Sequence, residues 1–209
     1  VTDKDAGNRG ISCFFIDKKL KGVSCGKPEK KLGLRSSDTS EIYFDNVEVK
    51  ENCLIGKENE GFKIALSTLN GGRIGIASQA IGIASAALAS SISYSKEREQ
   101  FGRKICEQQA IQFKLADMAT EIEAGELLIR KSAYYKDLGK PYAHLASMAK
   151  VFASDVAMRS ANQCVQIHGG YGYIAETGVE RYMRDAKITQ IYEGTSEIQR
   201  LIIARGLLK

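Results

Sequence analysis

The stretch Phe62-Lys63-Ile64-Ala65-Leu66-Ser67-Thr68-Leu69-Asn70-Gly71-Gly72-Arg73-Ile74-Gly75-Ile76-Ala77-Ser78-Gln79-Ala80-Ile81-Gly82-Ile83-Ala84-Ser85-Ala86-Ala87-Leu88 decides the fold. Within it Phe62, Leu66, Leu69, Arg73, Ala77, Ala80, Ile81, Ala84 and Leu88 lie three or four residues apart, which places them on one stripe of a long helix predicted to end near Arg98. The glycines and alanines along that stripe let a neighbouring helix pack closely.

Working outward, a second stripe follows: Ile111, Leu115, Met118, Ile122, Gly125, Ile129 and Ala133, ending at the stop signal Asp137-Leu138-Gly139-Lys140-Pro141. A third helix is predicted from Tyr142 to His168, a short one from Val179 to Asp185 after the Gly169-Gly170-Tyr171-Gly172-Tyr173 break, and a last one from Thr195 to Leu208. Long helices joined by short loops predict an antiparallel bundle. Before Gly56 the pattern is different, with short β-rich runs at Gly10–Ile16, Gly22–Cys25 and Glu41–Val49. In the last run Ile42, Phe44, Val47 and Val49 follow the period of a half-buried strand. The predicted class is mainly α: an antiparallel four-helix-type bundle over residues 57–209, preceded by a partial antiparallel β domain over 1–56. Three or four strands are few for an independent sheet, so further strands are expected upstream.

The composition narrows the function classes. A chain of 209 residues, 44% hydrophobic and 26% charged, is not disordered. The net charge of +5 is spread without a like-charge run of five or more, which does not argue for nucleic acid. It is compatible with a small anionic substrate or a phosphate-bearing cofactor. Cys13, Cys25, Cys53, Cys106 and Cys164 are scattered, with no C-x-x-C pair and no His spaced to complete a zinc site, so they read as reduced thiols and no metal is expected. No apolar run approaches the roughly 18–20 residues of a membrane helix, and the N-terminus lacks the features of a signal peptide. With valine first, a fragment or a processed chain is expected.

Glu193 falls in Ile191-Tyr192-Glu193-Gly194-Thr195-Ser196-Glu197, where Thr195 or Ser196 can cap the last helix and Glu197 can close a capping box. A carboxylate before glycine in a tight loop, beside an aromatic, suits a desolvated general base with a raised pKa. The same spacing also fits an exposed loop acid. Only His144 and His168 exist, which leaves no Ser-His-Asp arrangement; His144 reads as a surface residue and His168 as a polar group at a helix end. The glycine-rich exit Gln166–Gly172 lets backbone approach a ligand, or merely ends a helix. Arg98 with Phe101 is either a phosphate contact or a solvated helix terminus.

Taken together, Tyr192–Arg200, Arg184-Asp185-Ala186-Lys187, Gln166–Gly172, Arg98-x-x-Phe101-Gly102, Lys31–Thr39 and Leu69–Ala77 resemble the acyl-CoA dehydrogenase flavoprotein family in order and separation. The resemblance spans essentially the whole chain and is strongest to the short-chain (butyryl) and short/branched-chain members. It implies FAD-dependent α,β-dehydrogenation of short, possibly branched, acyl-CoA thioesters to trans-2-enoyl-CoA. Glu193 then matches the base that removes the α-proton, while the β-hydrogen leaves as hydride to flavin N5. Some family members carry the base on the long helix, at the position that is Gly72 here, so that route is closed.

By the same resemblance Asn70, Gly71, Gly72, Arg73 and Gly194 match substrate contacts. Arg98 matches a pyrophosphate contact and Phe101 a packing residue of the FAD site. Gln109, Gln166, Ile167, His168, Gly169 and Gly170 match contacts to the adenosine end, and Thr195, Ser196 and Glu197 the FAD-contacting start of the last helix. The family shares each FAD between subunits, which implies a homo-oligomer, a tetramer built as a dimer of dimers, with electron-transfer flavoprotein as the redox partner. It implies roles in fatty-acid β-oxidation or branched-chain amino-acid degradation, in the mitochondrial matrix or, for a bacterial protein, the cytoplasm. Residues 1–56 correspond to the end of the family's middle β domain, so the chain is expected to be the C-terminal portion of a longer enzyme. Two other readings stay open: a catalytically incompetent helical assembly module, and an acyl-CoA oxidase whose reduced flavin reacts with oxygen.

Overall fold

In this computed structural model, which describes residues 2–208, the chain is mostly helical with small antiparallel ladders. It divides into two compact units, one reaching to Leu69 and the other beginning at Asn70. The first unit carries four short strands, β1 (Cys13–Phe14), β2 (Val23–Cys25), β3 (Ile42–Phe44) and β4 (Leu54–Ile55). β1 pairs with β4, Cys13 opposite Ile55, and β2 with β3, Ser24 opposite Tyr43.

The pairing is antiparallel as expected, but the strands are two or three residues long. All three residues of β3 are exposed, so Ile42 and Phe44 do not mark a half-buried face, whereas Val47 and Val49 beyond the strand are half-buried between exposed neighbours. β3 stops at Phe44, shortly before Asn46 takes a left-handed φ of 47°, a conformation that short polar side chains tolerate. β4 is too short to register as a periodic run, and the sequence reading missed it.

Helix α1 (Gly61–Glu97) crosses the division between the units. By length and composition alone it could cross a membrane, with a mean hydropathy of 1.4 over an 18-residue window. This corrects the reading based on uninterrupted apolar runs: Gly and Ser break the runs, yet few charges lower the window average. Within the second unit Ala77, Ala80, Ile81 and Ala84 of this helix are buried in the bundle core.

Beyond α1 the second unit contains the hairpin β5 (Glu99–Gln100) and β6 (Arg103–Lys104), then α2 (Gln109–Asp137), α3 (Ala143–His168), α4 (Glu180–Thr189) and α5 (Ser196–Leu207). α1 ends at Glu97, beside the expected end near Arg98, and the hairpin follows directly. Its two-residue loop puts Phe101 at φ 57° and Gly102 at φ 77°, the pair of left-handed residues that a tight hairpin turn demands. α4 runs four residues past the expected end because Ala186 and Thr189 are buried, and packing against α3 carries the helix onward.

α3 is the centre of the bundle, packed on α2, α4 and α5. Ala149, Ala153, Ala157 and Ala161 are fully buried and share a core cluster with the α1 alanines, which bears out the close-packing stripe. Gly125 in α2 belongs to the same logic: a Cβ there would lie 2.4 Å from Cδ1 of Ile81 and 3.1 Å from its Cγ1. Gly125→Val should therefore overpack this contact. The expected cost is about 1–3 kcal/mol, partly offset by about 0.5 kcal/mol from removing a helical glycine. A lower urea midpoint is the expected result, and an unchanged midpoint would show that Ile81 has room to move aside.

Candidate active site

The loop between α4 and α5 is tied at both ends before any side chain is considered. Tyr192 donates its N–H to the Ile188 carbonyl at 3.1 Å, and Ser196 donates to the Gln190 carbonyl at 3.0 Å. Thr195 caps α5, its hydroxyl accepting the Ile198 N–H at 3.5 Å. The Glu197 carboxyl, held below its usual range by its own N–H and the Thr195 hydroxyl, faces solvent at the positive end of that helix.

Between these ties Glu193 adopts a left-handed φ of 55° and Gly194 one of 93°. A side chain in this region is unusual outside glycine and asparagine, so something must hold it. Three buried side chains do so. Arg73 Nε donates to the Glu193 carbonyl at 3.3 Å, Gln199 Nε2 donates to the carbonyls of Glu193 (3.1 Å) and Gly194 (2.8 Å), and Lys150 Nζ donates to the Gly194 carbonyl at 2.8 Å. Arg73 is braced in turn by Asn70, whose Oδ1 accepts from its Nη1 at 2.7 Å. Burial pushes the Arg73 guanidinium below its usual value, and the facing Glu193 pulls it back up.

The carboxylate of Glu193 lies over the bare Cα of Gly72: a Cβ there would be 2.4 Å from Oε2. Tyr192 donates its hydroxyl to Gln79 Oε1 on α1, and burial raises its pKa. The structure thus brings Asn70, Gly72, Arg73, Glu193 and Gly194 together, with Thr195, Ser196 and Glu197 opening the adjoining helix. Gly71 points elsewhere, toward Lys136 of α2, whose Nζ is 3.5 Å from the site of a Gly71 Cβ.

A second group gathers at the other expected place. Arg98, Ile167, His168, Gly169 and Gly170 line a cleft of about 550 Å³ together with Tyr94 and Tyr171. His168 is buried and stacks on Tyr94 with ring centroids 4.2 Å apart, while its Nδ1 lies 2.8 Å from the Cys164 carbonyl. It is a fixed wall rather than a free base. Arg98 sits over the Tyr171 ring at 5.8 Å. A permanent cation beside side-chain-free backbone suits the phosphates of a dinucleotide, so these residues fit the FAD end assigned to them. Gln166, Gln109 and Phe101 are exposed and do not line this cleft; Phe101 is 93% exposed at the hairpin tip.

Lys150 and Gln199 escaped the sequence reading. The signal for Lys150 was present: it is three or four residues from Ala146, Ala153 and Ser154 and seven from Ala157, a cation on a stripe of small buried residues. His144 is half-buried rather than on the surface, because Gly206 of α5 brings backbone against it: a Cβ at Gly206 would be 3.3 Å from His144 Cβ.

A helical bundle that holds one carboxylate in a clamped loop, with a cation-lined cleft elsewhere on the same unit, defines the class of protein. The family model for the C-terminal domain of acyl-CoA dehydrogenase matches residues 59–208, and this chain belongs to the acyl-CoA dehydrogenase family. The family's members are FAD-dependent flavoproteins. The chain is 55% identical over 208 residues to an acyl-CoA dehydrogenase of Bacillus subtilis, which covers all of this chain and 55% of that protein. Among solved structures, butyryl-CoA dehydrogenase from Megasphaera elsdenii matches with a TM-score of 0.98 at 52% identity, over the whole of this chain and 54% of that one. A chain from the structure of the electron transferring flavoprotein of Acidaminococcus fermentans matches with a TM-score of 0.98 at 55% identity, again over all of this chain and 55% of that one. The chain spans about half the length of the curated relatives it matches.

Proposed function

We propose that this chain is the base-bearing helical part of a short-chain acyl-CoA dehydrogenase, with Glu193 removing the α-proton of an acyl-CoA thioester to give the trans-2-enoyl-CoA. The observation that carries this reading is the seating of the Glu193 carboxylate over Gly72, on a residue that Arg73 and Gln199 hold by its backbone carbonyl, with Lys150 and Gln199 on the next one. Such a loop leaves both carboxylate oxygens available to a proton while denying the side chain freedom to wander.

An α-proton of a thioester is a weak acid, so negative charge growing on the thioester oxygen needs donors. The backbone N–H of Glu193 serves there, on a residue whose following peptide is held by the Arg73 and Gln199 bonds to the Glu193 carbonyl. Asn70, Gly72, Arg73 and Gly194 lie at the reacting end of the substrate, and the absence of a side chain at Gly72 leaves room for the Glu193 carboxylate itself. FAD, when bound, supplies the redox step no side chain can perform, accepting the β-hydrogen as hydride. Arg98, Ile167, His168, Gly169 and Gly170 hold its adenosine and phosphate end from one subunit, with Phe101, Gln109, Gln166, Thr195, Ser196 and Glu197 contributing around it.

The likeness to butyryl-CoA dehydrogenase supports a short acyl chain, and the likeness to a chain in an electron transferring flavoprotein structure supports that flavoprotein as electron acceptor. The FAD site shared between subunits of a homotetramer belongs to the same proposal, as do residues 1–56 as part of a β domain and 57–209 as the helical domain. So does a mitochondrial-matrix or bacterial cytoplasmic setting, in fatty-acid or branched-chain amino-acid breakdown.

The test is the visible spectrum of the full-length FAD-loaded protein under anaerobic addition of butyryl-CoA. The expected result is bleaching of the flavin band. A band that persists with butyryl-CoA but bleaches with longer thioesters would remove the short-chain assignment, and rapid peroxide formation on admitting air would favour the oxidase reading.

A further inference from the structure

Lys150 has the attributes of a structural residue and one that a structural residue does not need. It lies in the middle of α3, fully buried, in a helix whose neighbouring buried positions are Ala146, Ala149, Ala153, Ser154 and Ala157. A methionine or leucine would fill that volume without the cost of burying a charge, which is large unless the charge is paired and hydrogen-bonded. The retained ammonium makes one hydrogen bond, and it goes to the carbonyl of Gly194, the residue directly after Glu193.

The surroundings concentrate charge on this point from every side. Arg73 faces it from α1, Asp155 from its own helix, Glu193 from the loop and Glu197 from α5. α2 sends Lys136 to the neighbourhood of Gly71 on α1. Asp155 also accepts from Gln190 at 2.7 Å and from Arg200 at 3.1 Å, so its charge is shared among three partners. Burial, with Arg73 adding repulsion, brings the Lys150 ammonium down to about 8, against the pull of Asp155, Glu197 and Glu193. Gln199 shares the Gly194 carbonyl with Lys150 and keeps its own Oε1 buried without a partner among the described residues. The polar cluster is therefore assembled around the loop carbonyls.

On the reading of Glu193 as the base, we infer that Lys150 is a positioning residue for it: its buried ammonium anchors the peptide after the base through the Gly194 carbonyl. Arg73 binds the neighbouring carbonyl, but its fork also grips Asn70. Among the described residues Lys150 makes its one hydrogen bond to the loop itself, so removing it isolates the anchoring.

The experiment compares Lys150→Met, Lys150→Gln and Glu193→Gln in the full-length FAD-loaded enzyme. With Lys150→Met, kcat should fall by about 100-fold, the scale of loss for a misplacement of about 1 Å at a reacting group. KM for the acyl-CoA and the flavin content should stay close to wild type. A purely structural lysine would lower thermal stability or flavin retention and leave kcat of the folded, flavin-loaded protein in place.

Lys150→Gln keeps an uncharged donor near the Gly194 carbonyl, so it should recover part of the kcat that Lys150→Met loses. If the Met variant does not fold, Lys150→Ala takes its place as the protein without the donor. A wild-type kcat in the folded, flavin-loaded protein without the donor, or a Lys150→Gln protein no more active than that one, would overturn the inference. If Glu193→Gln turns over normally, the reading of the base itself has failed, which is a different outcome from Lys150 having no influence on it.

Discussion

Glu193→Gln should lower kcat by about 10²- to 10⁴-fold, the contribution of a positioned general base, while the protein keeps its fold, its flavin and its affinity for substrate. The clean separation follows from how the loop is held. Arg73, Gln199 and Lys150 all bind peptide oxygens of residues 193 and 194, and none of these hydrogen bonds engages the Glu193 side chain. A glutamine of the same shape therefore inherits the left-handed backbone at φ 55° and its ties. What it lacks is a basic oxygen. A variant that turned over within a few-fold of wild type would remove Glu193 from the chemistry and leave the clamp without an object.

The helical part of this fold was legible because its signals are local and repeated. The stripe Ile111, Leu115, Met118, Ile122, Gly125, Ile129, Ala133 gave α2 its face, and the structure buries Met118, Ile122 and Gly125 at its centre. The stop at Asp137 and the cap at Thr195 were also readable, since each depends on residues within a turn of itself. The β part was harder: a ladder of two residues per strand, such as Cys13–Phe14 on Leu54–Ile55, joins positions about forty apart and has no period to show. The same distance in sequence hid half of the site. Glu193 could be singled out from its own loop, but the residues that hold it sit on α1, α3 and α5. Arg73 is 120 positions away and Lys150 44 positions from the carbonyl it binds. Only the packed bundle turns a lone lysine among alanines into a partner of the Glu193 loop.

Gly72→Ala should separate activity from stability in the opposite sense to most substitutions. A Cβ at position 72 would fall 2.4 Å from Oε2 and 2.8 Å from Cδ of Glu193. Restoring ordinary contact of about 3.5 Å requires the carboxylate to move by roughly 1 Å. The atoms that must move are the end of a flexible side chain, so the helix itself has no reason to give way. Alanine in place of a helical glycine adds about 0.5–1 kcal/mol of stability. The expected protein melts at the same temperature or slightly higher, retains flavin, and has a kcat lower by about 100-fold. A kcat left at the wild-type level would mean that Glu193 reaches its substrate from some other rotamer, and the seating over Gly72 would lose its meaning. The same geometry gives a physical account of the family members that carry the base on the long helix. Position 72 and the Glu193 carboxylate converge on one point from two elements, so an acid grown from α1 and an acid lowered from the loop can serve the same proton, but not both at once.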